Sequence, residues 1–484
     1  MSILYINIGK MAEIGVLVVS YGSRGASFVD ALYRSEKYKI DLYIADKQRN
    51  PFNLERAREH KVIPDLNIKK IMDFAKQFKN RIDFGIVGPE GPIIDGIRDL
   101  IEDELDIPMI CPTKEFALEE SKLRQRLLMS ECCPEANPEF RVFNKKDYGS
   151  KEEVRRDLFF WLDEMNNEVA VKPDRPGYGK GVGVWGDHFN TRKELWSHFL
   201  SIYENDSVIV EKKIDGEESS FQCFCDGKSI KILPDTRDYK RAFENDKGPN
   251  TGGMGCYKNT RDYLPFMNDN DRDEEERIVK RIFKYLRGNG RNDNLRGIPL
   301  YIAFIHSAEG VKILEINSRG GDPEIQTLIP LIKDDFADIC FGMIDGNLKN
   351  LNISNKASVL IYKVPPTYGG FEDRFPEKVN KSEVGKEIDI SEIKRLERIY
   401  DDDLKVYPGS MEIRDGKLYS LKSRTICCIG IADSIGEARE ISLKAINSIK
   451  GGSLWYRNDI ASKEHISRSI EHMRILREYG NGKG

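Results

Sequence analysis

An acidic and an amide side chain stand two residues apart near the end of a predicted strand. The stretch VKILEIN covers residues 311–317, and strand alternation places Ile313, Glu315 and Asn317 on one face. Neighbouring carboxylate and amide oxygens suit Mg²⁺ (or Mn²⁺), which binds oxygen donors together with substrate phosphates and water. Taken alone, such a pair also fits a purely structural role, so the residues that follow decide between the two interpretations.

The next nine residues, SRGGDPEIQ, carry an arginine and an aspartate three positions apart. The Arg319 guanidinium can clamp a carboxylate or a phosphate through two parallel hydrogen bonds, and Asp322 can hold an ammonium group. Pro323 suits the first position of a short helix. Beside a metal pair, this arrangement predicts a site for a zwitterionic amino acid next to ATP, and therefore phosphorylation of its carboxylate.

A glycine-rich loop, VAVKPDRPGYGKGVGVW, spans residues 169–185. Backbone amides without bulky side chains can approach phosphate oxygens, and two lysines add positive charge. The loop is not a Walker A motif, because Lys180 is followed by glycine rather than Ser or Thr. It predicts a flexible hairpin closing over a triphosphate, with a structural hairpin as the alternative. The candidate phosphate-binding residues are Lys172, Gly177, Gly179, Lys180 and Gly181.

Two glutamates lie seven residues apart in SVIVEKKIDGEESSF, residues 207–221. A predicted strand ends near Glu211, and the backbone at Glu211 and Lys212 could hydrogen-bond an adenine edge. Glu218 follows a turn and is placed to accept hydrogen bonds from ribose hydroxyls. Taken singly, each glutamate also fits a solvated charge. The stretch predicts a nucleoside site formed by these three residues.

Bare backbone is concentrated in two further stretches. Residues 240–255, KRAFENDKGPNTGGMG, hold four glycines and almost no side chain that could fill a core. The turn GPEGP at 88–92 follows a predicted strand, and ligands of parallel sheets bind outside the carboxyl ends of the strands. Gly88, Pro89 and Glu90 are therefore candidate substrate-binding residues, with a plain tight turn as the alternative.

Composition excludes several classes of protein. A net charge of -4 provides no basic surface for a polyanion such as DNA. The nine cysteines include no CxxC and the six histidines no HExxH, which argues against a disulfide framework or a zinc site. The apolar run IGVLVV at 14–19 is far shorter than the ~20 residues that cross a bilayer, and we find no signal peptide. We expect a cytoplasmic protein without nucleic-acid or membrane partners.

The pattern of elements changes along the chain. From residue 14 to about residue 111, short β-rich runs alternate with helical segments, which predicts βαβ units on a parallel sheet. From 121 to about 329 the pattern is α+β, with long helices at 191–203 and 274–287. Beyond Pro330, strands, a hairpin and helices predict a further α+β unit. At about 150 residues per domain, the length predicts roughly three domains.

Four stretches resemble the ATP-grasp superfamily and, within it, the phosphoribosylamine–glycine ligase (glycinamide ribonucleotide synthetase) family. They are GPEGP at 88–92, VIVEKKIDGEESSF at 208–221, DYKRAFENDKGPNTGGMG at 238–255 and EINSRGGDPEIQ at 315–326. The last two are specific for this ligase family rather than for ATP-grasp enzymes in general. Weaker similarity in PPTYGG and WYRNDI extends the resemblance to nearly the whole chain.

The resemblance implies a multidomain α/β and α+β fold. A Rossmann-like N-terminal domain would cover residues 1–118, the ATP-grasp domain 119–329 with a lid at about 135–206, and a small C-terminal α+β domain 330–484. The implied reaction joins glycine to 5-phosphoribosylamine through glycyl phosphate, in purine biosynthesis, and gives glycinamide ribonucleotide, ADP and phosphate. ATP and Mg²⁺ (or Mn²⁺) are the implied cofactors, and a monomer or weak homodimer is the expected state.

Matched position by position, the resemblance assigns roles to single residues. Lys122 and Lys172 correspond to lysines that contact ATP phosphates, and Glu211 and Glu218 to adenosine contacts. The implied metal ligands are Glu315 and Asn317, and the expected catalytic residues are Lys240, Arg319 and Asp322.

The loop from Gly248 to Gly255 matches a family loop that would wrap small anionic substrates where the domains meet. Its backbone is expected to bind them, with Asp238 and Lys240 orienting them. The implied substrate-binding residues of this region are Asp238, Pro249, Asn250, Thr251, Gly252 and Gly253.

Three positions depart from the family pattern. The N-terminal loop, usually Gly-x-Gly-Gly-Arg-Glu-His, reads GSRGASF at 22–28, and Arg-Phe-Gly-Asp reads RGGD at 319–322. Ala303 stands where some members have Gln near the metal. The alternative function is another ATP-grasp carboxylate–amine ligase or a carboxylase acting on a different phosphorylated amine. A silent nucleotide-binding regulator is disfavoured, because both phosphate lysines and the metal pair are present.

Overall fold

The computed structural model describes residues 11–176 and 181–481 of the chain. Its first elements are β1 (Ala12–Ser20), α1 (Gly22–Tyr33), β2 (Tyr38–Asp46), α2 (Pro51–Arg56), β3 (Glu59–Val62), α3 (Ile68–Lys76), β4 (Phe84–Val87), α4 (Glu90–Ile94), α5 (Ile97–Leu105) and β5 (Met109–Ile110). The strands form one parallel sheet in the order β3-β2-β1-β4-β5. The predicted βαβ units are confirmed.

Strand β1 shows why this sheet is covered on both faces. Val16 and Val18 pack into one core with Phe28, whereas Leu17 and Val19 pack into another with Ile71. Alternate side chains thus enter opposite faces, so a run of consecutive apolar residues is needed. The strand order reverses between β1 and β4, and the turns after these two strands therefore lie side by side at the point where such sheets bind ligands.

A small antiparallel sheet follows. Its region comprises α6 (Lys122–Cys132), β6 (Phe140–Phe143), α7 (Lys151–Glu164), β7 (Val169–Pro173), β8 (Gly183–Val184), α8 (Arg192–Tyr203) and β9 (Val208–Lys212). The strand order is β6-β9-β7-β8, and α7 and α8 cover one face through a common core. Since β9 lies at the centre of this sheet, the unit continues past residue 206, where we expected the lid to end.

A larger antiparallel sheet carries the next segment. Its elements are β10 (Glu217–Asp226), β11 (Ile230–Ile232), β12 (Thr236–Asp238), β13 (Arg241–Phe243), β14 (Lys247–Asn250), β15 (Gly255–Lys258), α9 (Asp269–Arg287), β16 (Arg296–Ser307), β17 (Gly310–Asn317) and α10 (Glu324–Leu328). The sheet order here is β17-β16-β10-β12-β15, while β13 and β14 form a separate hairpin.

The same sheet continues into the last third of the chain. The remaining elements are α11 (Phe336–Asp345), β18 (Ala357–Lys363), α12 (Phe371–Arg374), β19 (Glu387–Asp389), α13 (Ser391–Tyr400), β20 (Leu404–Pro408), β21 (Met411–Arg414), β22 (Lys417–Ser420), β23 (Ile426–Ala432), α14 (Ile435–Ser448), β24 (Lys450–Gly451) and α15 (Lys463–Asn481). Strand β15 pairs with β18, and β23 and β20 follow. The sheet therefore joins both sides of the predicted boundary at residue 330, and the domain limits stay a prediction.

A β-bulge in β17 corrects the predicted alternation. Glu315 pairs with Ala303 and Ile313 with Phe304, so one extra residue of β17, Leu314, has no partner between these adjacent residues of β16. The extra residue turns Ile313 to the face opposite Glu315. Ile313 packs in the core, and only Glu315 and Asn317 share the polar face. The prediction that Ile313 shares this face was wrong, because a single inserted residue inverts the period-two pattern.

Helix limits follow local capping. Residues 90–105 form two helices rather than one, because Gly96 adopts φ +85° between α4 and α5. Helix α9 begins at Asp269, earlier than predicted, since Asn268 and Asp271 form a capping box. The hairpin predicted beyond Pro330 is confirmed as β21–β22, with Asp415 and Gly416 at its turn. Within residues 11–176 and 181–481, none of the helices has the length and apolarity to cross a membrane.

Candidate functional site

The candidate site includes two lysines from different elements. Lys172 lies near the end of β7, and Lys122 is the first residue of α6. Asp174 connects them, because its Oδ1 accepts hydrogen bonds from Ser121 Oγ (2.7 Å) and Leu123 N (2.9 Å) at the start of α6. Burial lowers the pKa of both lysine ammonium groups, and Lys172 adds to the shift of Lys122. Neighbouring cations with lowered pKa values favour a shared anion.

Glu211 is held by cations of the protein itself. Its carboxylate is 2% exposed and receives two hydrogen bonds from Arg126, at 2.6 and 2.8 Å. Lys172 Nζ donates a third at 2.6 Å. Burial alone would raise the pKa of Glu211, but Arg126 and Lys172 lower it. The Glu211 carboxylate therefore orients Lys172. An adenosine contact at Glu211 would be made by the Glu211 backbone.

Arg126 is a site-building residue that the sequence analysis did not single out. Besides Glu211, it donates to the carbonyl oxygens of Ile313 and Leu314, both at 2.9 Å. These carbonyls lie at the bulge of β17, just before Glu315. One buried guanidinium thus ties the small sheet to the strand that carries the predicted metal pair. The available signal was its position one helical turn after Lys122.

The polar face of the large sheet collects side chains from three strands. Between β10 and β16, Glu218 pairs with Ile305, Ser220 with Ala303 and Gln222 with Tyr301. Between β16 and β17, Ala303 pairs with Glu315 and Tyr301 with Asn317. Opposite residues in an antiparallel pair project to the same side. The structure thus brings Glu218, Glu315 and Asn317 onto one surface. Ala303 lies directly opposite Glu315, where its methyl group leaves room but supplies no ligand.

Glu315 is an anion among cations. Burial alone would raise its pKa, but Lys240, Arg319, Lys122 and Lys172 together lower it. No hydrogen bond to its carboxylate is formed by other described residues. An ionised oxygen donor without a protein partner, beside the amide oxygen of Asn317, fits a hard cation such as Mg²⁺. The described part of the chain contains no group of three or more His, Cys, Asp or Glu able to hold a metal.

Lys240 lies between carboxylates on this face. Its Nζ donates to Glu218 Oε2 at 2.9 Å. Burial would lower the pKa of Lys240, but Glu218, Tyr301 and Glu315 raise it well above its ordinary value. Burial and then Glu324 raise the pKa of Asp238, whose Oδ1 has no hydrogen-bond partner in the described chain. Glu324 itself is 2% exposed and was not predicted to belong to the site.

Arg319 approaches the turn after β4. Its Nε lies 3.8 Å from Glu90 Oε2, and this same oxygen accepts a hydrogen bond from Arg24 Nη2 at 2.8 Å. The Glu90 pKa falls to about 2, because Arg24 and Arg319 outweigh burial. Glu90 thus accepts a hydrogen bond from Arg24, whereas Arg319 lies near the same oxygen without a hydrogen bond to it. The GPEGP turn and the loop after β17 therefore lie close together, and Arg24, which the sequence analysis did not single out, connects them.

Asp322 is engaged by three partners. Arg424 Nη2 lies 2.9 Å from its Oδ2, while Gln326 (2.7 Å) and Tyr362 (2.9 Å) donate to its Oδ1. Burial would raise the Asp322 pKa, but Arg424 and Arg24 lower it. Arg424 comes from the segment between β22 and β23. Arg424 and Asp322 lie 102 residues apart in the chain, so no local sequence pattern indicated this contact.

The glycine-rich stretch at 248–255 is partly a strand. Residues 247–250 pair with β13, so Pro249 and Asn250 belong to a hairpin rather than to a free loop. Thr251 N and Oγ1 donate to the Lys240 carbonyl at 2.7 and 2.9 Å. Gly252 N donates to Tyr368 Oη at 3.0 Å, and Arg424 contacts the Gly252 carbonyl. Only the turn 251–254 is therefore free of β pairing.

Several predicted residues are not placed with this group. Gly177, Gly179 and Lys180 lie outside the described residues. Gly181 follows them with φ +89°, and its carbonyl lies 3.0 Å from His198 Nε2. Lys212 projects to the side of β9 opposite Glu211, where its Nζ is 3.3 Å from Glu309. A nucleoside contact at Lys212 would therefore be made by its backbone.

Comparisons with family models and with known proteins identify the same family. The family model described as phosphoribosylglycinamide synthetase, N domain, matches residues 14–120, and the ATP-grasp (A) domain of the same synthetase matches residues 142–325. The phosphoribosylamine–glycine ligase of Methanocella arvoryzae is 33% identical over 469 residues, covering 96% of this chain and 99% of that protein. The ligase of Thermococcus kodakarensis is 32% identical over 464 residues, with 96% and 99% covered.

Solved structures share the fold. The phosphoribosylamine–glycine ligase of Thermotoga maritima superposes with a TM-score of 0.69 at 20% identity, covering 92% of this chain and 100% of that one. The biotin carboxylase domain of 2-oxoglutarate carboxylase from Hydrogenobacter thermophilus, solved with MgADP, gives 0.61 at 14% identity, with 97% and 95% covered. Full-length sequence identity and both family models agree: the chain belongs to the phosphoribosylamine–glycine ligase family of ATP-grasp enzymes.

Proposed function

We propose that this protein joins glycine to 5-phosphoribosylamine in purine biosynthesis, consuming ATP and releasing glycinamide ribonucleotide, ADP and phosphate. The observation that carries the proposal is the position of Glu315, which lies with Asn317 on one sheet face and is surrounded by three lysines and Arg319. That arrangement suits a nucleoside triphosphate, a cation and a carboxylate in contact. Similarity to ligases of this name along 96% of the chain supports the choice of substrates.

The first step is transfer of the γ-phosphoryl group. A glycine carboxylate oxygen attacks the γ-phosphorus, the bond to the β–γ bridging oxygen breaks, and ADP leaves glycyl phosphate behind. Lys122 and Lys172 neutralise phosphate charge on the side of the small sheet. No protein nucleophile is needed, because positioning and charge neutralisation lower the barrier.

A divalent cation fits the oxygen donors of β17. Glu315 and Asn317 would hold Mg²⁺ or Mn²⁺, with phosphate oxygens and water completing the coordination. Bound there, the ion neutralises charge that develops on the transferred group. The chain's own contribution is to keep the carboxylate ionised, and the cations that lower the Glu315 pKa ensure this.

Arg319 and Asp238 are our choice for the two ends of glycine. The Arg319 guanidinium, with no hydrogen-bond acceptor at Nε within the described chain, is free to bind the carboxylate. Asp322 was expected to hold the ammonium group, but its oxygens already bind Arg424, Gln326 and Tyr362. The Oδ1 of Asp238 has no hydrogen-bond partner among the described residues, and an ammonium group bound there would offset the burial that raises the pKa of this carboxyl. We therefore propose that Asp238 holds the ammonium group and that Asp322 acts by holding Arg424.

The second step forms the amide bond. The nitrogen of phosphoribosylamine attacks the carbonyl carbon of glycyl phosphate, the carbon–oxygen bond to phosphate breaks, and the proton lost by the nitrogen passes to the departing phosphate. We propose that the turn after β14, at Thr251 to Gly253, and the GPEGP turn bind this acceptor. The Lys240 carbonyl binds Thr251 of the first turn, and its ammonium group, near enough to Glu315 for that carboxylate to raise its pKa, can stabilise the leaving phosphate.

The nucleoside half of ATP falls between the two sheets. We propose that the backbone of Glu211 and Lys212 binds the adenine and that Glu218 accepts hydrogen bonds from the ribose. We propose that Gly181 contacts the phosphates, while the phosphate contacts expected of Gly177, Gly179 and Lys180 stay a prediction. Glu218 is 45% exposed at its side chain and must release Lys240 in part to do so.

The test is ADP formation by the purified protein with Mg²⁺-ATP and glycine, with and without phosphoribosylamine generated in situ, and mass analysis of the product. We expect turnover only when both substrates are present, with glycinamide ribonucleotide formed. ATP turnover that requires another amine or carboxylate would contradict the assignment of substrates. Sedimentation of the same sample tests the proposed monomer or weak homodimer.

A further inference from the structure

Arg24 is a buried arginine that the proposed reaction leaves without a role. It is 4% exposed and lies in the first turn of α1, where the strand order reverses between β1 and β4. Its Nη2 donates to Glu90 Oε2 at 2.8 Å and its Nη1 to the carbonyl of Gly320 at 2.9 Å. Both acceptors also face Arg319.

The contacts of Arg319 depend on the same two groups. Its Nε lies 3.8 Å from Glu90 Oε2, beyond hydrogen-bond distance, and its Nη1 donates to the Gly320 carbonyl at 3.3 Å. Arg24 therefore hydrogen-bonds both groups that Arg319 approaches, the Glu90 carboxylate and the Gly320 carbonyl. Without Arg24, Glu90 could rotate to bind Arg319 through both carboxylate oxygens, which is the preferred geometry of such pairs.

We propose that Arg24 is a positioning residue that keeps Glu90 from neutralising Arg319, so that the Arg319 guanidinium stays available to a substrate carboxylate. The inference rests on the proposed function of Arg319 but uses a separate contact. It also accounts for two departures from the family pattern. Arg24 stands at a position usually held by glycine, and Gly320 stands at one usually held by phenylalanine. A glycine at position 24 could not form this pair.

The inference predicts an unusual rescue. In Arg24→Met, we expect the KM for glycine to rise about tenfold or more while the KM for ATP changes less than about twofold, because only Arg319 loses its free donors. The double variant Arg24→Met/Glu90→Gln should recover much of the glycine affinity, since a neutral amide binds Arg319 weakly. Arg24→Lys should fall between, as one ammonium group cannot reach both acceptors.

The matched control is Arg34→Met, which removes another arginine–carboxylate pair from the end of the same helix, at Asp30. It should leave both KM values unchanged. The proposal is overturned if Arg24→Met keeps wild-type glycine kinetics, or if both KM values rise together without rescue by Glu90→Gln, as a merely structural role would require.

A crystal structure of Arg24→Met tests the same inference without turnover. We expect Glu90 to bind Arg319 through two hydrogen bonds of about 3 Å. An Arg319 side chain that keeps its place and leaves Glu90 unbound would refute the proposal, whatever the substrates are. If the wild-type protein showed no glycine-dependent turnover, the proposed function would fail, and this structure would still decide on Arg24.

Discussion

Two glutamates of this protein show how partners decide what a residue does. Glu211 and Glu315 both lie near the ends of strands beside lysines, and cations lower the pKa of each. Arg126 and Lys172 bind the Glu211 carboxylate directly. Glu315 has cations near it and no hydrogen-bond donor among the described residues, so its oxygens remain free. Glu211 thus stabilises the site, whereas Glu315 is placed to bind a ligand.

Glu315→Gln tests the metal assignment. The amide keeps the shape of the side chain but loses the charge that a hard cation requires. We expect ATP turnover with glycine and phosphoribosylamine to fall at least about 100-fold while the melting temperature stays within about 2 °C. Glu152→Gln on the exposed first turn of α7 is the matched control and should leave turnover unchanged. Wild-type activity in Glu315→Gln would rule out the metal role.

At the scale of elements, the turn after β14 is shaped by what surrounds it. Gly253 adopts φ +101°, and a Cβ there would lie 2.6 Å from both Asp238 Oδ1 and Pro323 Cδ. Backbone and space therefore both require glycine, since a side chain would push Asp238 away from the site. This links the hairpin β13–β14, strand β12 and the start of α10 in one arrangement.

Gly253→Ala should disturb both folding and binding. We expect a loss of stability on the order of 1 to 3 kcal/mol and a rise in the KM for glycine, because Asp238 and Pro323 must move. Gly310→Ala separates the two causes, since Gly310 has φ +94° but open space around its Cβ position. It should cost only the backbone strain and leave KM unchanged. Equal effects of both variants on the KM for glycine would show that the close contacts at the Gly253 Cβ position do not affect glycine binding.

At the scale of the whole molecule, one sheet unites the middle and the end of the chain. The segment after residue 330 supplies β18, β23 and β20 to it, and Arg424 then reaches back to Asp322 and the Gly252 carbonyl. The stability of the sheet is therefore shared across segments. Beneath it lies a buried polar group in which Glu275 Oε1 contacts Ser219 Oγ and, at 3.0 Å, His306 Nε2.

Burial gives this group a defined pH dependence. Burial raises the pKa of Glu275 from 4.5 to about 7 and lowers that of His306 from 6.5 to about 4. The folded state therefore holds the Glu275 proton where the unfolded state has lost it, so this carboxyl costs stability as the pH rises from 4.5 to about 7. His306 has the opposite sign, since burial of its neutral form favours folding as the pH rises from about 4 to 6.5.

Glu275→Gln isolates the carboxyl contribution. Relative to the wild type, we expect the variant to be about equally stable at pH 5 and more stable at pH 8, by on the order of 1 to 3 kcal/mol. Thermal unfolding at the two pH values measures the difference. Glu274→Gln, which removes a partly exposed carboxylate one residue earlier, is the matched control for the substitution itself. A pH-independent difference for Glu275→Gln would contradict a carboxyl that titrates near neutrality.

Local rules in the sequence determined much of this protein. The βαβ alternation, the turn after β4, the Asp415-Gly416 hairpin and the oxygen pair Glu315–Asn317 all depend on residues close together in the chain, and the structure forms each of them. Short-range geometry fixes such features, because strand periodicity, turn residues and capping act within a few positions. The family motifs are equally local, and the matches along the whole chain agree with them.

Tertiary structure alone decided how the charges are shared. Arg126, Arg24 and Arg424 each bind a predicted site residue, and their partners lie 85, 66 and 102 residues away. The bulge that separates Ile313 from Glu315 likewise appears only in the register with β16. Coulomb and hydrogen-bond energies depend on distance in space and on burial, and a sequence pattern carries neither. The sequence therefore supplied candidate residues for the site, and the fold determined which of them are bound by other side chains of the described chain.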